Sequence, residues 1–260
     1  MSLQFNLAYA ESYNSETQRV RRMSEKWLVE ESYCPACGGR LAEYPNNKPV
    51  RDTYCEDCGE KYELKSKKSS EKGLLKLPEK IVDGAYATMM QDMEAQTTPN
   101  LLFLQYLSGY TVASLLVIPK QFFVPALIEK RNPLSKTARR AGWVGCNILL
   151  EPIPQVGRIP IIQNKVFEPK DKVISIFQKT LFLRHQQKLE AKGWLLDVMR
   201  CVELIGKEEF TLQDIYQHEA MLKDLHPDNN NVQAKIRQQL QVLRDAGFLA
   251  FVGRGVYRVV

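Results

Sequence analysis

Two chemistries share one short stretch of this chain. In Asp52-Thr-Tyr-Cys55-Glu-Asp-Cys58-Gly-Glu-Lys-Tyr-Glu63-Leu-Lys65, a cysteine pair is followed by an acid-x-lysine triplet, and a further acid, Asp52, stands ahead of both. The cysteines are half of a larger pattern, Cys34-x-x-Cys37 with Cys55-x-x-Cys58. Two adjacent turns that each present a thiolate pair close a tetrahedron of soft ligands and leave no open position for water, so the pattern predicts a structural zinc in a reducing compartment. Cys146 and Cys201 stand alone in apolar surroundings and are expected to be buried thiols.

If residues 61–66 are extended, alternation puts Glu63 and Lys65 on one face and Tyr62 and Leu64 on the other. Antiparallel pairing with the segment that holds Asp52 then brings two carboxylates together around one divalent ion. Magnesium is the natural occupant, because it takes hard oxygen ligands and keeps several waters. Such a site suits phosphodiester hydrolysis: the ion activates water and neutralises charge, while Lys65 orients the water, takes part in its deprotonation, or steadies negative charge. Lysine is a base only where its pKa is depressed, which residue types alone do not decide. Acid-x-lysine triplets also occur on charged surfaces, so the triplet gains its meaning from Asp52 and the neighbouring metal site.

The elements that must position these groups can be read from periodicity. Residues 15–31 predict a helix capped by Ser15, with Val20, Met23, Trp27 and Leu28 on its apolar side. Residues 50–54 and 61–66 predict two strands joined at the cysteine pair, a hairpin with a zinc knuckle at its tip. Asp83 is expected to cap a helix over 84–94. Strands are expected at 101–106, 114–118, 143–150 and 158–163, and a helix at 170–183. Residues 184–192 read as a helical connector. Beyond it, helices are expected over 193–205, over 212–225 with Thr211 and Asp214 as a capping pair, and from 231 to Gly247, then a hairpin of 248–252 and 256–260. That order is a winged helix.

In the last helix Val232, Ile236, Leu240 and Leu243 form one buried face, and Gln233, Ala234, Arg237, Gln238 and Gln241 form the opposite one. Gln pairs bidentately with adenine and Arg with guanine, as a helix in the major groove requires, and Arg254 at the wing tip suits a phosphate. Charge supports a polyanionic partner by placement rather than size. The formal charge is only +6, but Lys65, Lys67, Lys68, Lys72 and Lys76 form one run and Lys130, Arg131, Lys136, Arg139 and Arg140 another. With 260 residues, 44% hydrophobic and 25% charged, two globular domains are expected, at 1–184 and 185–260. No leader or membrane span is evident, so the expectation is a cytoplasmic protein with no membrane partner.

Several stretches together resemble the DpnI-like methyl-directed restriction endonucleases of the PD-(D/E)xK nuclease superfamily. They are Ser32-Tyr-Cys-Pro-x-Cys-Gly38, Tyr62-x-Leu-Lys-Ser-Lys-Lys68, Asp83-Gly-Ala-Tyr-Ala-Thr-Met-Met90, Thr137-Ala-Arg-Arg-Ala-Gly-Trp143 and Lys235-Ile-Arg-Gln-Gln-Leu240. The resemblance implies an α+β protein: a nuclease core of mixed sheet and helices with an embedded four-cysteine zinc site, then a winged helix. It also implies a magnesium-dependent enzyme of restriction and host defence that cuts double-stranded G-A-T-C carrying N6-methyladenine. Asp52, Glu63 and Lys65 would be catalytic, Asp52 and Glu63 would hold magnesium, and Cys34, Cys37, Cys55 and Cys58 would hold zinc. The superfamily's Pro-Asp pair stands here as Arg51-Asp52, with Pro49 the nearest proline, and its strand ahead of the hairpin has only 41–44 as a poor candidate.

Burying one methyl contributes about 0.8 kcal/mol, a factor of roughly four, so methylation-dependent cutting needs several contacts. Two methyls, each read by two domains, give near 3 kcal/mol, or roughly 200-fold. Trp143, beside Arg139 and Arg140, is the candidate apolar surface in the first domain and Ala234 in the second. A monomer is expected, with no small-molecule substrate. The competing readings are a non-catalytic zinc and winged-helix regulator, and a structure-directed repair nuclease.

Overall fold

The computed structural model describes residues 1–44, 52–72 and 77–260. These form two compact units, Met1–Leu150 with Val156–Leu181, and Glu151–Gln155 with Phe182–Val260. Val50, Arg51, Pro49 and Lys76, which enter the expectations above, lie outside the described residues.

The first unit holds strands β1 (Leu41–Glu43), β2 (Thr53–Cys55), β3 (Lys61–Lys68), β4 (Lys80–Ala85), β5 (Asn100–Tyr106), β6 (Val112–Ile118), β7 (Ile128–Lys130), β8 (Gly145–Leu149), β9 (Ile159–Gln163) and β10 (Val166–Phe167). Its helices are α1 (Glu16–Glu31), α2 (Tyr86–Glu94) and α3 (Lys170–Lys179). One sheet runs β1-β2-β3-β5-β6-β9-β10 and a smaller one runs β4-β8-β7. Every residue of β5 is buried, because both faces of this central strand are covered. The β3–β5 pair is parallel, with Glu63 opposite Leu101 and Lys65 opposite Phe103; the intervening chain supplies β4 and α2, the long crossover that parallel strands need. Met23, Trp27 and Leu28 of α1 are almost wholly buried against a core that includes Tyr62, Leu102 and Leu104. That face is the one the helical spacing predicts.

Several expectations need correction. Asp83 caps no helix: it lies within β4, and α2 begins three residues later at Tyr86 with Ala85 in the N-cap position. Ser15 stands at the N-cap of α1, yet its side chain makes no capping bond. The segment 41–43, poor as a strand by pattern, is paired antiparallel with β2 (Leu41 opposite Cys55). The helix expected to reach residue 183 ends at Lys179, and a 3-10 turn, Leu181–His185, follows.

The second unit contains α4 (Leu189–Ile205), α5 (Leu212–Tyr216), α6 (Glu219–Leu225) and α7 (Val232–Asp245), with a sheet of β11 (Glu209–Thr211), β13 (Val256–Val259) and β12 (Leu249–Gly253) in that order. The first helix therefore starts at Leu189, not Gly193, and the one expected over 212–225 is broken at Gln217 and His218. The capping pair forms in full: Asp214 N–H donates to the Thr211 hydroxyl, and Thr211 N–H donates to the Asp214 carboxylate. Gly247, just past α7, takes φ +76, the left-handed turn that glycine permits. Among the described residues no helix is long and apolar enough to cross a membrane.

The fold of this unit hangs on one face of α7, since Val232, Ile236, Leu240 and Leu243 are all buried. Ile236→Ala removes a fully buried side chain at its centre and is expected to lower the unit's unfolding free energy by about 2–5 kcal/mol. Urea denaturation of the variant measures this, and a change under 1 kcal/mol would mean that the face repacks.

Candidate active site and metal centre

The four clustered sulfurs come from two similar turns. Gly38 N–H donates to the Cys34 carbonyl (2.7 Å) and Gly59 N–H to the Cys55 carbonyl (3.0 Å). Each turn closes on a glycine of positive φ, +80 at Gly38 and +71 at Gly59. Gly39 is needed for a different reason: a Cβ there would meet Asp57 Oδ2 at 1.9 Å. That carboxylate accepts from Arg40 N–H (3.2 Å) and so ties one turn to the other.

All four Sγ atoms lie within 4.8 Å of one another, with Cys34 to Cys58 at 3.6 Å and Cys37 to Cys55 at 3.5 Å. A tetrahedral ion with Zn–S bonds of about 2.3 Å has sulfur–sulfur edges of about 3.8 Å, so these sulfurs fit a zinc. The separations are too long for a disulfide, and all six cysteines are free. Burial works against the Cys55 thiolate, but the backbone N–H groups of Cys58 and Asp57 overcome it and lower its pKa. Cys146 and Cys201 are fully buried, as expected, and burial pushes their thiols up, to about 11 and about 12.

From this cluster β2 and β3 run as the two arms of a hairpin, with Thr53 opposite Tyr62 and Tyr54 opposite Lys61. Tyr62 is fully buried and its hydroxyl lies 2.9 Å from Cys34 Sγ. The next residue, Glu63, turns to the other face. Beyond the end of β2 the Asp52 side chain continues the ladder, its Oδ2 accepting from Leu64 N–H at 2.8 Å. Asp52, Glu63 and Lys65 thereby line one cavity of about 730 Å³, together with Arg21 and Glu25 of α1 and Lys80 and Val82 of β4.

The electrostatics at this cavity are governed by the burial of its carboxylates. Burial first, and then the nearby Asp83 carboxylate, push the Glu63 pKa up to about 7 against the pull of Lys65. Lys65 Nζ lies 2.6 Å from Glu63 Oε1 and equally 2.6 Å from Asp83 Oδ1. Burial disfavours its charge, yet the two carboxylates outweigh burial and hold the ammonium above its ordinary pKa. Arg21 makes the matching bridge on the other side, 3.3 Å from Asp52 Oδ1 and 2.6 Å from Glu25 Oε1. Asp52 and Glu63 thus each face a protein cation. The donor set itself, two hard carboxylate oxygen ligands beside a space large enough for water, fits a hydrated divalent ion such as magnesium.

Three of these residues were not anticipated. Arg21 and Glu25 are ordinary helix-surface residues by pattern, and only the packing of α1 over β3 brings them to the cavity. Asp83 did carry a signal: it follows Ile81 at a spacing of two and shares its buried face, a polar residue in an apolar position. Reading it as a helix cap hid that signal.

The remaining expected residues are placed as follows. Lys130, Arg131, Lys136, Arg139 and Arg140 are all exposed. Trp143 is half-buried; the Arg140 guanidinium lies 4.7 Å from its ring centroid, and a Cβ on Gly145 would come within 2.9 Å of the indole. In the second unit Gln233, Ala234, Arg237, Gln238 and Arg254 are exposed, α7 presenting the first four and the turn between β12 and β13 the last. Arg237 donates to the Tyr216 hydroxyl (2.8 Å) and Gln233 to Glu219 (2.8 Å), so both are held at the start of α7.

Residues 1–186 match the family model described as DpnI, Dam-replacing family. Residues 190–259 match the model described as the Dam-replacing HTH domain.

The contact from Tyr62 to Cys34 yields a test. Tyr62→Phe should lower stability by about 1 kcal/mol, the net value of one buried hydrogen bond. It should also speed loss of metal from the four cysteines to a chelator, followed with a chromogenic indicator. Unchanged release would show that Tyr62 only fills space.

Proposed function

The chain belongs to the DpnI Dam-replacing family, and on that premise we propose that it is a type II methyl-directed restriction endonuclease. Its substrate on this reading is double-stranded DNA at G-A-T-C carrying N6-methyladenine, cut with magnesium at Asp52 and Glu63, while zinc sits in the four-cysteine cluster. The observation that carries the reading is the convergence of Asp52, Glu63 and Lys65 on one cavity at the arms of the cysteine-tipped hairpin.

Magnesium, when bound, supplies charge neutralisation at the phosphate and a more acidic water. The chain's own residues supply position and charge. Asp52 is fixed by the Leu64 N–H, and Glu63 by its strand. Lys65 keeps its proton in this environment, so its role is that of a cation steadying negative charge on the phosphoryl oxygens rather than that of a general base. Trp143 and α7 read the methylated site, with residues 1–184 carrying cleavage and 185–260 contributing recognition. The enzyme is taken to act in the cytoplasm, as a monomer that engages the two strands in succession.

A plasmid digest tests the whole reading. Methylated plasmid should be cut with magnesium and spared with chelator, and unmethylated plasmid should be spared in both. Cutting regardless of methylation would favour a structure-directed nuclease, and binding without cutting a regulator. Glu63→Ala should abolish cleavage yet retain zinc and methylated-DNA binding, whereas Cys58→Ser should lose zinc and cleavage together through misplacement of the hairpin. In Trp143→Ala, two methyl contacts of about 0.8 kcal/mol each are lost, so the preference for fully methylated over unmethylated duplex should fall by roughly fifteenfold. A preference equal to wild type would exclude Trp143 from methyl reading.

A further inference from the structure

Among the described residues, Asp83 is the acidic side chain that reaches Lys65 from outside the seven-stranded sheet. It lies on β4 of the smaller sheet, at a bulge where the register with β8 shifts between Asp83, opposite Cys146, and Ala85, opposite Gly145. Bulges re-aim side chains, and this one occurs where the inward face of β4 changes from Ile81 to a carboxylate. The Asp83 side chain is only 4% exposed. An ionised carboxylate so deeply buried is costly unless it is paired, and Lys65 is the cation that pairs it.

Lysine has four rotatable side-chain bonds and a compact charge, so one partner leaves it many conformers. Glu63 is a weak constraint by itself, being two residues away on the same strand and free to follow Lys65 in several rotamers. A second acceptor on a different sheet turns a single contact into a two-point hold. We propose that Asp83 is a positioning residue for Lys65, fixing the ammonium beside Glu63 where it meets the scissile phosphate. The proposal rests on the reading of Lys65 as a functional group of a nuclease. It adds that the reach of Lys65 is set from the second sheet.

β8 follows directly on the segment that carries Arg139, Arg140 and Trp143, and Tyr86 N–H bonds to the Val144 carbonyl (3.1 Å) at the root of that segment. The strand holding Lys65 in place is therefore pinned at the base of the segment proposed to read the methyl group.

Amine acylation in the absence of DNA and magnesium, quantified at each lysine by mass spectrometry, tests the contact without using activity. In wild type, Lys65 should react at least tenfold more slowly than Lys67 on the same strand. In Asp83→Asn the Lys65 rate should rise at least fivefold while Lys67 is unchanged, and Asp83→Glu should restore part of the protection. Single-turnover cleavage by Asp83→Asn should fall at least tenfold with affinity for methylated duplex within twofold of wild type, and Asp83→Glu should recover part of that loss. Equal reactivity of Lys65 and Lys67 in wild type overturns the proposal even if Asp83→Asn does not fold. So does unchanged Lys65 protection in folded Asp83→Asn. A Lys65→Ala variant that still cuts at full rate would instead sink the nuclease role of Lys65 and leave the Asp83 contact standing.

Discussion

The pairing of Thr53 with Tyr62 is the contact on which the first unit's chemistry depends. It is one of only two registered pairs between β2 and β3, and β2 is three residues long. Two pairs do not hold a hairpin in water. The arms are fixed instead at their ends: by the sulfur cluster at the tip, by Asp52 Oδ2 on the Leu64 N–H at the open end, and by the parallel ladder from β3 to β5 along one side. Tyr62 belongs to all of these at once. Its backbone pairs across the hairpin, its hydroxyl meets Cys34, and its position in the strand turns Glu63 toward the cavity. A metal bound by the cysteines therefore bears on the placement of Glu63 through one residue, and the two motifs that overlap in sequence are one mechanical assembly.

The carboxylates at the site are countered by the protein's own cations. Glu63 and Asp83 share Lys65, and Glu25 and Asp52 share Arg21. Around these two cations stand four carboxylates of low exposure, and burial first, then the Asp83 charge, pushes Glu63 up to about 7. Glu63 and Asp83 hold the Lys65 ammonium above its ordinary pKa, and a lysine among carboxylates is a worse base.

What could be read from sequence was whatever depends on near neighbours along the chain. The cysteine spacing, the apolar runs of β5 and β6, the period of α7 and the Thr211 capping pair are all local, and each appears at or near the expected residues. The break in the helix over 212–225 was hidden because no Gly or Pro marks it; the apolar positions on either side face the core from two short helices instead of one. The strand at 41–43 was hidden because its partner, β2, supplies its order. Asp83 was the most consequential miss, and its cause is physical: the contact that gives it meaning joins two sheets, and no periodicity within β4 reports a partner on β3. Arg21 and Glu25 were invisible for the same reason.

The modest net charge of +6 has a consequence for how such a protein finds one DNA site among many. Phosphate contacts strengthen binding to every sequence alike and grow with each lysine or arginine engaged. A strongly basic nuclease would therefore be held on non-substrate DNA, and its small methyl-dependent preferences would be submerged. Here one group of exposed cations lies between Lys130 and Arg140, beside the half-buried Trp143, another includes Lys67, Lys68 and Lys72, and other cations are held in pairs such as Lys80 with Glu129 and Arg258 with Glu209. On the proposed reading the run between Lys130 and Arg140 would place phosphate attraction beside the methyl contact, so that the non-specific term would deliver DNA to the reader without outweighing it. On the same reading, discrimination of only about 0.8 kcal/mol per methyl would suffice if contacts from both units multiplied on one duplex.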